Sequence, residues 1–482
     1  MSHDITRDSH LLNEGKNYAK VRRLQGRIFT DADFNEQVDL ADRRVRDLIV
    51  DVVGYHAGAI LPGGVAVGFK ITEKLSQNKI NDLTIGVGTY YVDGIRVTND
   101  ANPQSLPTYS SQWPNVPSKP FPVIDKFLLA YLDVQNVPVT PLDDSDLLDV
   151  GFEGRDSCNR EKWDWVVRVA RLNSNPGELS SINDLKQDTL ANPAEIPYGE
   201  TLGQLTFSYS TRDSDHCVSP AMDAFSGISD QLYRVEVHEK GILAEALSEK
   251  AAPRLKWSRD NAAPAFAIKP NGWSKEADAA TWRVALESLD ALGGSRSLEA
   301  LHWVEPVLPD WYHRDVCFPL LWVESIDPEN LEAIVALGPD RPKISEKTPI
   351  GDPLIDAYNA LKALEGIQPI GKAKPRLILW DHLAGDFRGL KLSGKDGDTN
   401  DPGIQLEHGL QAQLKLGAKS SPRCYRVGDY WQHVVRTAEV RVPSSFRDPD
   451  GPEHLFAPLA VFSDTALVKD WRRKINSIGA PV

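Results

Sequence analysis

A chain of 482 residues exceeds what one ordinary hydrophobic core holds, since domains run roughly 100 to 200 residues, so several domains are expected. Its 41% hydrophobic and 25% charged residues match the globular average, which argues against long disordered tracts. With 54 Lys plus Arg against 68 Asp plus Glu, the net charge of -14 repels a phosphate backbone, and no nucleic-acid partner is expected.

The first ten residues, MSHDITRDSH, carry charges where a signal peptide needs an apolar core. Apolar runs such as VCFPLLWV (316–323) fall far short of a membrane span. The expectation is a protein made in the cytoplasm, with no membrane span, that leaves it only as part of a larger particle. Cys158, Cys217, Cys317 and Cys424 lie far apart with no C-x-x-C pair, which fits free thiols better than a disulfide framework or a zinc site.

Residues 31–53, DADFNEQVDLADRRVRDLIVDVV, predict a helix with Thr30 as N-cap, acids in the first turn and Gly54 past its end. Phe34, Val38, Ala41, Val45, Leu48 and Val52 follow spacings of four, three, four, three, four, an a/d seam that must be buried against something. Two partners suit it: the helix's own domain, or sister chains.

GAILPGG (58–64) breaks the pattern, and strands follow. NDLTIGVGTYYVDGIRVTND (81–100) predicts a strand pair with Asp93 and Gly94 at a hairpin or bulge. PQSLPTYSSQWPNVPSKPFP (103–122), with three aromatics, reads as an ordered surface loop. KFLLAYLDVQNVPVT (126–140) and DWVVRVARL (164–172) complete a first β unit, and a polar stretch to about 200 follows.

QLTFSYSTR (204–212), QLYRVEVHEKG (231–241), RLKWSRDNAAPAFAI (254–268), WRVALESL, LEALHWVEPVL and LLWVESID (320–327) each predict a strand. PLIDAYNALKAL (353–364) predicts a short helix. PRLILWDH (375–382), IQLEHGLQAQLKL (404–416), YRVGDYWQHVVRTAEVRVP (425–443) and HLFAPLAVF (454–462) return to β. The fold class is therefore mainly β and multi-domain, with short-strand sandwiches or barrels and an N-terminal amphipathic α-helix. The expected partition is 1–64 (arm and helix, an assembly segment), 65–175, 176–345 and 346–482 (β domains).

Chemistry is harder to find. DGDTNDPGIQLE (396–407) echoes a calcium loop, but its sixth position is Asp401 rather than Gly and Pro402 follows, so a solvated acidic turn is the better reading. Eleven scattered histidines form no H-E-x-x-H, and no G-x-S-x-G or P-loop is present. No metal, cofactor or catalytic residue is therefore expected. Asp260, Glu305 and Asp381 sit near tryptophans, as sugar-cleaving acids do, which leaves glycan hydrolysis as a weaker alternative. KWSRDN (256–261) and GDYW (428–431) read instead as structural anchors through Trp257, Arg259, Asp260, Asp429 and Trp431, with Arg259 paired to a carboxylate such as Asp260 or one across the sheet.

LQGRIFTDADFNEQ, GTYYVDGIRV, QLYRVEVHEKG, RLKWSRDN, LEHGLQ, YRVGDYW with VVRT, and FAPLAVF, in this order, resemble an uncharacterised family of tail- and baseplate-associated proteins. That family is similar to components of phage-tail-like contractile injection systems. Departures are Ala262 and Ala263, where a Gly-containing turn is usual, and the His433 of VGDYWQHVVRT, where an apolar residue is usual. The resemblance implies a non-enzymatic particle protein, forming homo-oligomers of threefold or sixfold symmetry and contacting baseplate, tube or sheath proteins. It supplies no catalytic residues. A fibre- or spike-like module binding a cell-surface glycan through the 103–122 loop and Trp113 is the alternative.

Overall fold

The computed structural model describes residues 18–59, 67–112, 121–152, 158–177, 181–186, 189–192, 195–196, 201–209, 231–244, 251–276, 280–292, 296–308, 318–345, 348–349, 351–394, 402–418, 421–435 and 445–475. The fold is mainly β, built from several sheets and one closed barrel, with an N-terminal helix.

Helix α1 spans Asp31–Val53. Thr30 caps it in extended backbone: its hydroxyl accepts from the Asp33 amide at 3.2 Å, while the Asp33 carboxylate accepts from the Thr30 amide at 3.1 Å. This reciprocal box satisfies two of the first turn's orphan donors. Gly54, at φ 92°, ends the helix, and its amide donates to the Val50 carbonyl.

The first β unit joins three sheets over one core. His56–Gly58, Gly88–Val92 and Ile95–Asn99 form one sheet, Ile71–Ser76 and Lys79–Ile85 a hairpin, and Leu467–Asp470, His454–Phe462, Phe127–Val139 and Arg160–Leu172, in that order, a four-stranded sheet. Asp93 (φ 45°) and Gly94 (φ 81°) make the two-residue turn between Val92 and Ile95, the left-handed pair that a tight hairpin needs. Phe127–Val139 is covered on both faces. Leu128, Ala130, Leu132 and Val134 enter one apolar cluster and Leu129 and Tyr131 another, so the segment reads as a continuous apolar run rather than an alternation.

In the second unit, Arg254–Ser258, Gln231–Glu239 and Tyr430–Val435 form a three-stranded sheet. It shares a core with the sheet of Ser393–Gly394, Pro402–Gln405, Leu410–Leu414 and Leu205–Tyr209, through Phe207, Tyr233, Val235, Leu255, Leu410 and Trp431. RLKWSRDNAAPAFAI is therefore two strands rather than one: the backbone turns at Asn261 (φ 53°) and Ala262 (φ 57°) and restarts as Ala265–Lys275.

That second strand opens the barrel. Ala265–Lys275, Thr281–Leu286, Glu332–Ala336, Leu321–Asp327, Trp303–Val307 and Arg376–Trp380 close around in this order, all antiparallel. Helix α2, Pro353–Lys362, capped by Asp352, packs Ala357 and Leu361 onto the apolar cluster that holds Val284, Val335 and Leu379. Glu332–Ala336 is a strand that the sequence did not suggest, because its five residues carry no alternation beyond EAIVA.

Sheet pairing is nested rather than contiguous. His454–Phe462 lies beside Phe127–Val139, and Tyr430–Val435 beside Gln231–Glu239, so each unit draws strands from both sides of the barrel. Position 345 lies within the chain segment, 265–380, that supplies the barrel strands. Among the described residues, no helix is long and apolar enough to cross a membrane.

Candidate functional site

Two features stand out as functional candidates: a charged hub buried where the three-stranded sheet meets the barrel, and the outward stripe of α1. The hub begins with strand alternation. Arg234, Glu236 and His238 project from one face of Gln231–Glu239, and Lys256 lies directly across from Glu236 in the neighbouring strand. All four are buried. Glu305 of the barrel completes the set: the Lys256 ammonium stands 2.5 Å from Glu305 Oε2 and 3.1 Å from Glu236 Oε1.

Aromatic rings line these charges. The Trp380 indole N–H donates to Glu305 Oε2 at 3.1 Å, and the Lys256 Nζ lies 4.5 Å from the Trp380 ring. Arg234 donates to Glu236 at 2.7 Å through Nε, with its guanidinium 3.6 Å from the Tyr430 ring. Two cations and two carboxylates thus pair and neutralise one another in the interior, as buried charges require. Burial and the Lys256 ammonium hold the His238 imidazole well below its usual range. Burial, helped by His238, pushes His382 down to about 3, so this imidazole, stacked on Trp303, is neutral.

The outer rim of the hub belongs to KWSRDN. Asp381 accepts from the Arg259 amide at 2.8 Å and lies 3.2 Å from the Arg259 guanidinium and 2.7 Å from Arg296. Arg259 reaches on to Glu407 at 3.0 Å, and Glu407 also accepts from the Tyr233 hydroxyl at 2.7 Å. Arg259 thus pairs with carboxylates of the barrel end and the four-stranded sheet and not with its neighbour; Asp260 pairs with Arg296 at 3.0 Å. Trp257 is buried beside Tyr233, and buried Trp431 donates its indole N–H to the Arg447 carbonyl at 3.0 Å. Asp429, fully buried, accepts from the Arg426 amide at 3.1 Å and pairs with its guanidinium.

The fold therefore gathers Asp260, Glu305 and Asp381 into one region, as a glycan-cleaving site would require. Each, however, is engaged by a cation, and Glu305 and Asp381 are buried. Paired-carboxylate hydrolysis needs two such groups facing a space that a sugar ring can enter. Lys256, Glu236, His238, Arg296 and Trp380 were not singled out in the sequence, because strand alternation shows that residues share a face but not which face meets another sheet.

Of the 103–122 loop, Tyr109 is buried and meets Phe121 edge-on at 5.5 Å, so two of its three aromatics pack inward. Trp113 lies outside the described residues, as do Cys217, Cys317 and positions 396–401 of the calcium-like loop. Glu407, the last position of that loop, is committed to Arg259 and Tyr233, and no metal-binding cluster occurs among the described residues. Cys158 is exposed, while burial raises the Cys424 thiol to about 11.

Among the described residues, the α1 stripe does not close on the helix's own domain. Phe34, Val38, Val45, Leu48 and Val52 are 58%, 51%, 55%, 63% and 55% exposed, and Ala41 is exposed between them. The helix is held by its other side: Arg46 pairs with Glu453 at 2.9 Å and donates to the Asp93 carbonyl, and Leu40 is buried. Burial raises the Asp93 carboxyl at this contact to about 6, against the pull of Arg46. A soluble helix normally turns its apolar stripe inward and its charges outward, and here the arrangement is reversed. The segment before it adds Tyr18, Leu24, Ile28 and Phe29 to the exposed apolar surface.

Comparison with known proteins yields one match. A family model described as a family of unknown function (DUF6519) matches residues 5–202 and 201–442. No curated protein and no solved structure matches the chain.

Proposed function

The chain belongs to that family of unknown function, and we propose that it is a non-enzymatic structural component of a contractile phage-tail-like injection particle, associated with the baseplate and assembling with copies of itself. The observation that carries the assembly part is the reversed polarity of α1, whose whole heptad seam is exposed while its charged side holds the body. Contiguous exposed apolar surface on a soluble protein marks a docking face. The placement in a contractile particle rests on the ordered motifs from LQGRIFTDADFNEQ to FAPLAVF.

The hub supports the non-enzymatic part. QLYRVEVHEKG, RLKWSRDN, LEHGLQ and VGDYW each contribute to it or its rim, and Lys256 with Glu305 and Arg259 with Asp381 cross-link sheet and barrel. A rigid connector that carries load between neighbours has use for such a joint. In this reading the protein is made in the cytoplasm and leaves as part of the released particle, contacting baseplate, tube or sheath proteins.

The test is purification of intact particles from a producing strain that carries a tagged copy. The chain is expected to sediment with tube and sheath and to remain associated through high-salt washing. A tagged chain that is monodisperse and monomeric by light scattering, and absent from every particle fraction, would overturn the reading.

A further inference from the structure

The charges beside the α1 seam select one way for two copies to pair. Val38, Val45 and Val52 recur every seven residues at one core position, and Phe34, Ala41 and Leu48 at the other. Gln37, Arg44 and Asp51 flank the stripe on one side, and Asn35, Asp42 and Ile49 on the other.

Parallel pairing in register sets Arg44 against the partner's Ile49 and forms no ion pair. Antiparallel pairing over the full helix sets Arg44 against the partner's Arg44 and Asp42 against the partner's Asp42, which places like charges face to face. Antiparallel pairing shifted by one heptad sets Val45 against the partner's Leu48 and Ala41 against the partner's Val52. Arg44 then meets the partner's Asp51, twice by the twofold axis.

We propose that two copies of this chain associate through α1 in this shifted antiparallel register, with Arg44 and Asp51 closing the edges of the seam. Arg44 and Asp51 are exposed and stand at its margin. Phe34 and Val38 are left at the outer end by the shift, and Phe34 already meets Phe29 edge-on at 6.4 Å within its own chain. Arg46, which holds the helix to the body, is not a seam position. The contact is isologous, and differs from the threefold or sixfold symmetry that the motif resemblance implies.

This inference rests on α1 being the assembly element, and the experiment separates the two. The full chain is measured by size exclusion with light scattering over a concentration series, as wild type, Arg44→Asp, Asp51→Arg, the double swap, and Val45→Asp/Leu48→Asp. The wild type is expected to be a dimer, each single charge change to weaken it about tenfold, and the double swap to restore it to within about threefold. Val45→Asp/Leu48→Asp is expected to give a monomer with unchanged thermal unfolding, since both side chains are exposed. A trimer or hexamer, or a dimer indifferent to the single changes, overturns the register and leaves α1 assembly standing if the double-aspartate variant dissolves it. A wild-type monomer at every concentration, or an oligomer that survives the double-aspartate change, overturns both.

Discussion

Lys256 is the residue on which the hub turns. It sits between Glu236 and Glu305, and both carboxylates are buried with it. Lys256→Met keeps the length and removes the charge, leaving two buried anions with less compensation. The expected cost is roughly 3–5 kcal/mol, read from urea unfolding, the range for breaking a buried pair by removing one partner. Trp380→Phe removes the indole donor to Glu305 and leaves a cavity where the larger ring packs, and should cost at least about 1–3 kcal/mol in the same assay. KWSRDN announced itself in the sequence as an anchor, and its Arg259 was expected to find a carboxylate. That Asp381 and Glu407 would be the ones was not legible, because they stand far along the chain and are brought near only where the three-stranded sheet meets the barrel and the four-stranded sheet, respectively.

At the level of the element, α1 was the most legible part of the fold. Its N-cap, its first turn and the Gly54 stop follow from local backbone chemistry, which needs no tertiary partner. Thr30→Ala should cost about 1 kcal/mol and raise hydrogen exchange in the first turn. The docking of the helix depends on Gly94: a Cβ there would meet the Arg46 carbonyl oxygen at 2.7 Å and Cα at 2.8 Å, and its φ is 81°. Gly94→Ala is therefore expected to lift α1 from the hairpin, seen as faster amide exchange across α1 with the barrel strands unchanged. Which face of the helix would stay open could not be read from its periodicity. An a/d seam looks the same whether it closes on its own body or on a neighbour, and Arg46 with Glu453 decided the matter from the other side.

Across the whole molecule, acid should destabilise the fold well before its structural carboxylates protonate. His382, at about 3, and His433, pushed down to about 4 by burial and Arg447, stay neutral in the folded chain where an unfolded imidazole takes up a proton. Their stabilisation is full above the unfolded value near 6.5 and is lost as pH falls towards their folded values, by about 1.4 kcal/mol per pH unit for each. Asp93, raised to about 6, works in the opposite sense between about 6 and its unfolded value of 3.8, because there the folded state binds the extra proton. His238, also held well below its usual range, acts in the same sense as the other two imidazoles. Together they outweigh one carboxyl, so the urea midpoint should drop from pH 7 to pH 5, and His433→Leu should flatten the slope. The nested topology adds a second expectation. His454–Phe462 lies between Phe127–Val139 and Leu467–Asp470, so truncation after Pro452 bares the edge of a thirteen-residue strand and should yield aggregated protein on sedimentation.

By itself the sequence determined the mainly β character, the capped N-terminal helix, its seam and the Asp93–Gly94 turn, because each is encoded in neighbours a few residues apart. Only the tertiary structure decided that Asp260, Glu305 and Asp381 are engaged by cations, that Tyr109 and Phe121 pack inward, and that the α1 seam faces out. Those outcomes depend on which buried faces meet across long separations in the chain, and hydrophobic patterning marks a face as buried without naming what lies on the other side.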